Sequence, residues 1–203
     1  MPDGGVVNIG ASYGRSLTVI GCDPSLKGWG LARLVVNIGS LSTLAEPEAA
    51  VVDLRLIATE RTAAKAVRAA SDDLRRAHEL HAGFHSFCRG AALVMAEIPS
   101  GTQSARGAMS NGICLGVLAS CPLPIIQVAP LETKLATVGS KTATKPEMIQ
   151  WATSRFPNAG WLRHRGSLTA ANEHLADAVA VVMAGLKTPE FRAAANMMAM
   201  ASA

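Results

Sequence analysis

Aromatic side chains are scarce in this 203-residue chain, at 4% of positions. That is too few for the stacked-ring platforms on which single-strand-binding proteins hold bases. Charge is also thin: 17% of residues are Asp, Glu, Lys or Arg, against 49% hydrophobic. This composition excludes a disordered polyelectrolyte and supplies ample apolar surface for one globular domain. The four cysteines, Cys22, Cys88, Cys114 and Cys121, form no CxxC pair. Neither a disulfide framework nor a zinc ribbon is expected, and a reducing compartment suits them. The opening MPDGGVVNIGAS lacks the basic start and continuous apolar stretch of a secretory signal, so the chain is read as cytoplasmic.

Charge vanishes from residue 107 to 131, about 25 positions, which is long enough for a membrane span. Ser110, Asn111 and Ser120 interrupt that stretch, and Pro122 and Pro124 break it. It reads as a buried helix followed by a buried strand, with no membrane partner. No GxSxG nucleophile turn occurs. In VGSKT, residues 138–142, Ser140 separates Gly139 from Lys141, so the Gly-Lys of a phosphate-binding loop is missing and no nucleotide cofactor is expected. A net charge of +4 permits a nucleic-acid partner without establishing one.

The segments that are present alternate in character. Residues 17–23 (LTVIGCD) form an apolar run ending in a carboxylate, 31–36 (LARLVV) suggest a second strand, and 51–58 (VVDLRLIA) alternate like a strand with one wet face. Residues 59–88 are Ala-rich and helical in pattern, with Thr59 and Thr62 as candidate caps. Arg61, Lys65, Arg68, Arg75 and Arg76 lie on one face of that helix and His78, His81 and His85 recur at helical spacing. These are most simply solvated faces, compatible with a phosphate partner. A further apolar run, 91–97, again ends in an acid. Helices are expected at 104–119, 130–138, 146–155 and 169–186, and a strand at 125–129. A basic loop, PNAGWLRHRGS, fills 157–167. Residues 1–15 are expected to be a flexible N-terminus, 16–187 one domain, and 188–203 a tail that is flexible or packs on a partner.

The acids carry the chemistry. Asp23 and Glu97 each close an apolar run, and NEHLADA places Glu173, His174 and Asp177 within about one helical turn. Taken singly, each is most simply a surface group. If the two runs are neighbouring strands crossed by that helix, the carboxylates converge and repel unless a cation lies among them. Such an oxygen-rich cluster suits Mg²⁺ or Mn²⁺.

TVIGCDPSLKGWGLA (residues 18–32) resembles the opening strand and turn of the RuvC-like Holliday junction resolvases. LVMAEIP is similar to that family's second acidic strand and SARGAMSNGICLGVLAS to its small-residue helix. APLETKLATVGSKTATKPEM is similar to its lysine-bearing stretch and NEHLADAVAVV to its terminal acidic helix. The matches fall in the family's order across residues 17–186. The resemblance implies an α/β, RNase H-like fold, with a mixed five-stranded sheet of three antiparallel strands followed by parallel ones, flanked by helices. It implies Asp23, Glu97, His174 and Asp177 as metal ligands for two Mg²⁺ ions, or Mn²⁺ as substitute, with Glu173 as an understudy. Lys134 and Lys145 match catalytic basic positions, and Lys141, Arg106, Arg163 and Arg165 are further candidates for DNA contact. The implied activity is metal-dependent cleavage of four-way junctions by a homodimer, leaving 5′-phosphate and 3′-hydroxyl ends.

Two departures qualify the resemblance. Ser25 stands where members usually carry Gly after the Asp-Pro. No aromatic ring follows Glu97, where many bacterial members place one, so strict four-way preference is not implied. The compact, divergent pattern suggests a phage-type relative. A broader nuclease of flaps, forks or RNA, and a catalytically silent DNA-binding module, remain the alternatives.

Overall fold

The computed structural model describes residues 16–38, 48–63, 68–99 and 101–201. The expected flexible segment 1–15, and Lys65 of the basic face, lie outside these residues. Three strands open the chain: β1 (Ser16–Asp23), β2 (Gly28–Asn37) and β3 (Ala49–Ala58). They form an antiparallel meander. After α1 (Ala69–Cys88), strand β4 (Leu93–Glu97) returns parallel to β1, and after α2 (Ala105–Ala119), β5 (Ile125–Val128) adds parallel to β4. The sheet order is β3-β2-β1-β4-β5, the mixed five-stranded sheet expected from the sequence. Helices α3 (Pro130–Thr137) and α4 (Lys145–Arg155), a small hairpin of β6 (Arg163–His164) and β7 (Ser167–Leu168), then α5 (Asn172–Gly185) and α6 (Pro189–Ala201) complete the fold.

Both faces of β1 and β4 are covered, which is why these strands read as near-continuous apolar runs. On one face α5 lies across the strands, with Leu175, Val179, Val182 and Leu186 packed against Val19, Leu34, Leu93 and Met95. On the other, Leu80, Phe84 and Phe87 of α1 and Val117 and Leu118 of α2 cover Ile20, Leu31 and Val94. The approach of α5 is unusually close. A Cβ built on Gly21 would lie 2.0 Å from the Ala178 carbonyl oxygen, and one on Gly30 2.0 Å from that of His174. Only glycine lets helix and sheet meet there.

Three expectations change. The helix expected from residue 59 begins at Ala69. Thr59 is instead a buried strut: its hydroxyl donates to the Leu26 carbonyl (2.5 Å) and accepts from Arg76 Nε (2.8 Å). The basic face is correspondingly not all solvated, because Arg76 is buried and also reaches the Leu26 carbonyl (2.9 Å). The uncharged helix α2 is not enclosed. It buries Cys114, Val117 and Leu118, and leaves Met109 (58%) and Leu115 (39%) exposed. Helix α6 seats Phe191 and Ala195 in the same core as α5.

Candidate active site

Register brings the first two acids together. Cys22 pairs with Ala96 in the parallel β1–β4 ladder, so the following residues, Asp23 and Glu97, leave the sheet side by side at the carboxyl ends of adjacent strands. The turn after Asp23 is held from below by the Thr59 and Arg76 bonds to the Leu26 carbonyl. Within that turn Ser25 Oγ accepts the Gly28 amide (3.1 Å).

Helix α5 delivers the second pair. Its first turn passes over Gly30, and His174 Nδ1 lies 2.8 Å from Asp23 Oδ2. Asp177, one turn on, is close enough to both Asp23 and Glu97 to feel their charge. Burial, then Asp23, pushes the Glu97 carboxyl up to about 7, opposed by nearby Lys134. Burial, then Asp23 and Glu97, pushes Asp177 up to about 7 as well. The hydrogen bond to Asp23 raises the His174 imidazole above its ordinary value. Half-buried acids that hold protons near neutrality mark a place short of positive charge.

Both lysines expected at the site stand at its edge. Lys134, on α3, is an electrostatic neighbour of Glu97. Lys145, the first residue of α4, bonds Glu173 through both carboxylate oxygens (2.9 and 3.0 Å), which raises its pKa. The other cations are spread out. Lys141 is exposed in the α3–α4 connection. Arg106 is taken up by Asp73 of α1 in a two-oxygen ion pair, so its fork is not free for phosphate. Arg163 and Arg165 lie on the β6–β7 hairpin, which forms within the expected basic loop.

That hairpin is rigidly mounted. Arg165 (φ 48°) and Gly166 (φ 85°) make a two-residue turn with both residues in the left-handed region. At its base the buried Asn172 accepts from the Leu162 amide (2.8 Å) and donates to the Leu162 and Thr169 carbonyls (2.7 and 3.0 Å). Trp161 anchors the approach by donating to the Phe156 carbonyl (2.8 Å). Sequence reading missed Asn172. Its signal was a polar residue opening the helix that carries His174 and Asp177.

The donor set of three carboxylates and one imidazole fits a hard divalent cation. Among the described residues no three such side chains close tightly enough to grip a cation unaided. Mg²⁺ does not require that, because it keeps waters and binds through one or two carboxylates plus substrate phosphate. His78, His81 and His85 do not make a second centre: His81 and His85 stack at 4.0 Å and His85 bonds Ser120 (2.9 Å). No described helix is long and apolar enough to cross a membrane.

No protein-family model matches the chain, and no curated protein matches it. Solved structures do. RuvC of Thermus thermophilus in complex with Holliday junction substrate superposes with a TM-score of 0.58 at 20% identity, over 83% of this chain and 92% of that one. A second structure of Thermus thermophilus RuvC gives the same values. This chain has the RuvC fold. That fold is RNase H-like, and in it Asp23, Glu97, His174 and Asp177 occupy the sheet end described above. Fowlpox virus resolvase, solved with substrate Holliday junction DNA, is also similar, with a TM-score of 0.47 at 11% identity over 85% of this chain and 100% of that one.

Proposed function

We propose that this protein is a metal-dependent endonuclease that resolves four-way junctions and related branched DNA, hydrolysing phosphodiesters to 5′-phosphate and 3′-hydroxyl ends. The observation that carries the proposal is the convergence of three carboxylates and a histidine at the carboxyl ends of β1 and β4, flanked by two lysines, on a RuvC fold. Asp23, Glu97, His174 and Asp177 hold the ions, two per site. Bound divalent ions supply an activated water and charge stabilisation at the leaving oxygen. Asp23, beside Glu97 at the strand ends and hydrogen-bonded to His174, would be the central member of that ligand set. Lys134 lies on the Glu97 side and offsets charge developing on the phosphate. Lys145 stands on the His174 side and takes a phosphate oxygen of the strand. Arg163, Arg165 and Lys141 contact the backbone farther out, a sequence-independent contribution that weakens with salt.

Cutting two opposed strands requires two sites, and the homodimer has a surface to form on. Leu74 of α1 (60% exposed) and Met109 of α2 flank a groove between the two helices, floored by Ala77 and Ile113 with the Asp73–Arg106 pair at one end, and Leu115 is exposed farther along α2. From residue 107 to 119 this face of α2 carries no charge. An exposed apolar face of that kind is what a self-complementary contact uses.

The test is incubation with labelled four-way, flap, duplex and RNA substrates, with Mg²⁺ or EDTA, beside Asp23→Asn. Paired nicks in the four-way junction that need Mg²⁺ and disappear in the variant are expected. Faster cutting of flaps or RNA than of junctions assigns the broader nuclease instead. Binding without cleavage of any substrate, unchanged in Asp23→Asn, assigns a silent module and refutes the enzyme.

A further inference from the structure

Glu173 is adjacent in sequence to His174 and touches two groups of the proposed site at once. Its carboxylate grips Lys145 Nζ with both oxygens, Oε2 at 2.9 Å and Oε1 at 3.0 Å. The same Oε1 lies 3.6 Å from His174 Nε2. On the far edge of the imidazole, Nδ1 is 2.8 Å from Asp23 Oδ2. The ring therefore lies between two carboxylates, hydrogen-bonded to one at Nδ1 and facing the other across Nε2, in a row running Lys145, Glu173, His174, Asp23. One flank is closed as well, since a Cβ on Gly28 would approach Cδ2 and Nε2 of the ring to 3.0 Å.

This arrangement has a chemical reading. An imidazole that binds metal through one nitrogen almost always donates its other N–H to a carboxylate or carbonyl, and that partner fixes both tautomer and ring orientation. Glu173 Oε1 is the carboxylate oxygen facing Nε2, at 3.6 Å. On the other edge Nδ1–H donates to Asp23, where Glu97 and Asp177 also converge, and a bound ion would take the place of that proton. Lys145 completes the arrangement: its exposed, flexible stem is tethered by both oxygens of Glu173.

We propose that Glu173 is a positioning residue, which orients His174 so that Nδ1 faces the acid cluster and holds Lys145 at the mouth of the site. The inference rests on the metal-dependent reading above and assigns Glu173 a role other than ligand. The plain alternative is that Glu173 is an acid at the first turn of α5, favourable to the helix dipole and joined in a surface ion pair. Such an acid affects folding slightly and leaves metal affinity unchanged.

The two are separated by measuring Mn²⁺ binding to the full-length protein without DNA, by calorimetry and by electron paramagnetic resonance. Wild type is compared with Glu173→Gln, Glu173→Asp, Lys145→Met and Asp23→Asn. Positioning predicts a 10–100-fold weaker Mn²⁺ affinity in Glu173→Gln, with partial recovery in Glu173→Asp. It predicts a change of less than about threefold in Lys145→Met, whose lysine touches no proposed ligand. In cleavage, Glu173→Gln lowers kcat by a similar factor while KM moves little. Wild-type Mn²⁺ affinity and kcat in Glu173→Gln would overturn the inference and leave the metal site standing. If the wild type binds no Mn²⁺ that Asp23→Asn abolishes, the metal reading fails and takes this inference with it.

Discussion

Gly30→Ala adds a single methyl and is expected to be among the most damaging substitutions in the chain. The new Cβ would lie 2.0 Å from the carbonyl oxygen and 2.4 Å from the carbonyl carbon of His174. Both are backbone atoms of a buried helix, so no side chain can swing aside. Restoring ordinary contact requires α5 to retreat from β2 by more than an ångström. Overpacking of this kind costs about 1–3 kcal/mol. At the upper end that lowers Tm by about 10 °C in a domain of this size. The retreat also carries His174 away from Asp23, and a misplacement of about 1 Å can cost on the order of 100-fold in rate. Gly112→Ala is the control: it lies in α2 with nothing within 4 Å of the new methyl, so helix propensity raises stability by about 0.5–1 kcal/mol. Thermal unfolding and Mn²⁺ titration of both variants decide the matter. If Gly30→Ala unfolds within about 2 °C of wild type and binds Mn²⁺ normally, the account of α5 resting on a glycine floor is refuted.

The shifts at the site also make stability depend on pH. Glu97 and Asp177 are raised to about 7 and His174 is raised, so the folded state holds protons that the unfolded state has released. Metal-free protein therefore loses stability as pH rises from about 5 to 8, by roughly 3 kcal/mol if the Glu97 shift alone is counted. Saturating Mg²⁺ should flatten that loss, and a metal-free Tm that is constant or rising across the window would contradict the assignment. Replacing Arg163 by Gln and Arg165 by Asn, which tolerates the left-handed turn, should leave Tm unchanged. The pair should reduce the log–log salt slope of DNA binding by about 1–2, and an unaltered slope removes the hairpin from the interface. Met109→Glu with Leu74→Glu should yield monomers by light scattering and uncouple the two nicks, whereas an intact dimer would place the seam elsewhere.

Much of this was legible because strand burial leaves a plain trace. The runs ending at Asp23 and Glu97 could be read as buried strands, and the parallel register then set the two acids together. Asp177 could be read from its place in an Ala-rich helix. Contacts between distant segments left no such trace. Nothing in the sequence around Thr59 or Arg76 tells of a strut under the Leu26 carbonyl, and a helical pattern was mistaken for a helix ten residues too long. The Gly-x-Gly at 28–30 looked like turn chemistry. Its physical need, a helix carbonyl pressed against the sheet, exists only once α5 has docked. The uncharged α2 was read as enclosed because charge is a guide to solvent, yet a helix can lack charge and still leave Met109 and Leu115 exposed.

The mounting of the β6–β7 hairpin has one more consequence. Asn172 secures the hairpin base with three hydrogen bonds and is itself the first residue of α5, two positions from His174. If nucleic acid seats on Arg163 and Arg165 as proposed, it acts on the same rigid element that presents the imidazole. Linkage then obliges reciprocity: whatever factor the nucleic acid contributes to the affinity for ions, the ions return to the affinity for nucleic acid.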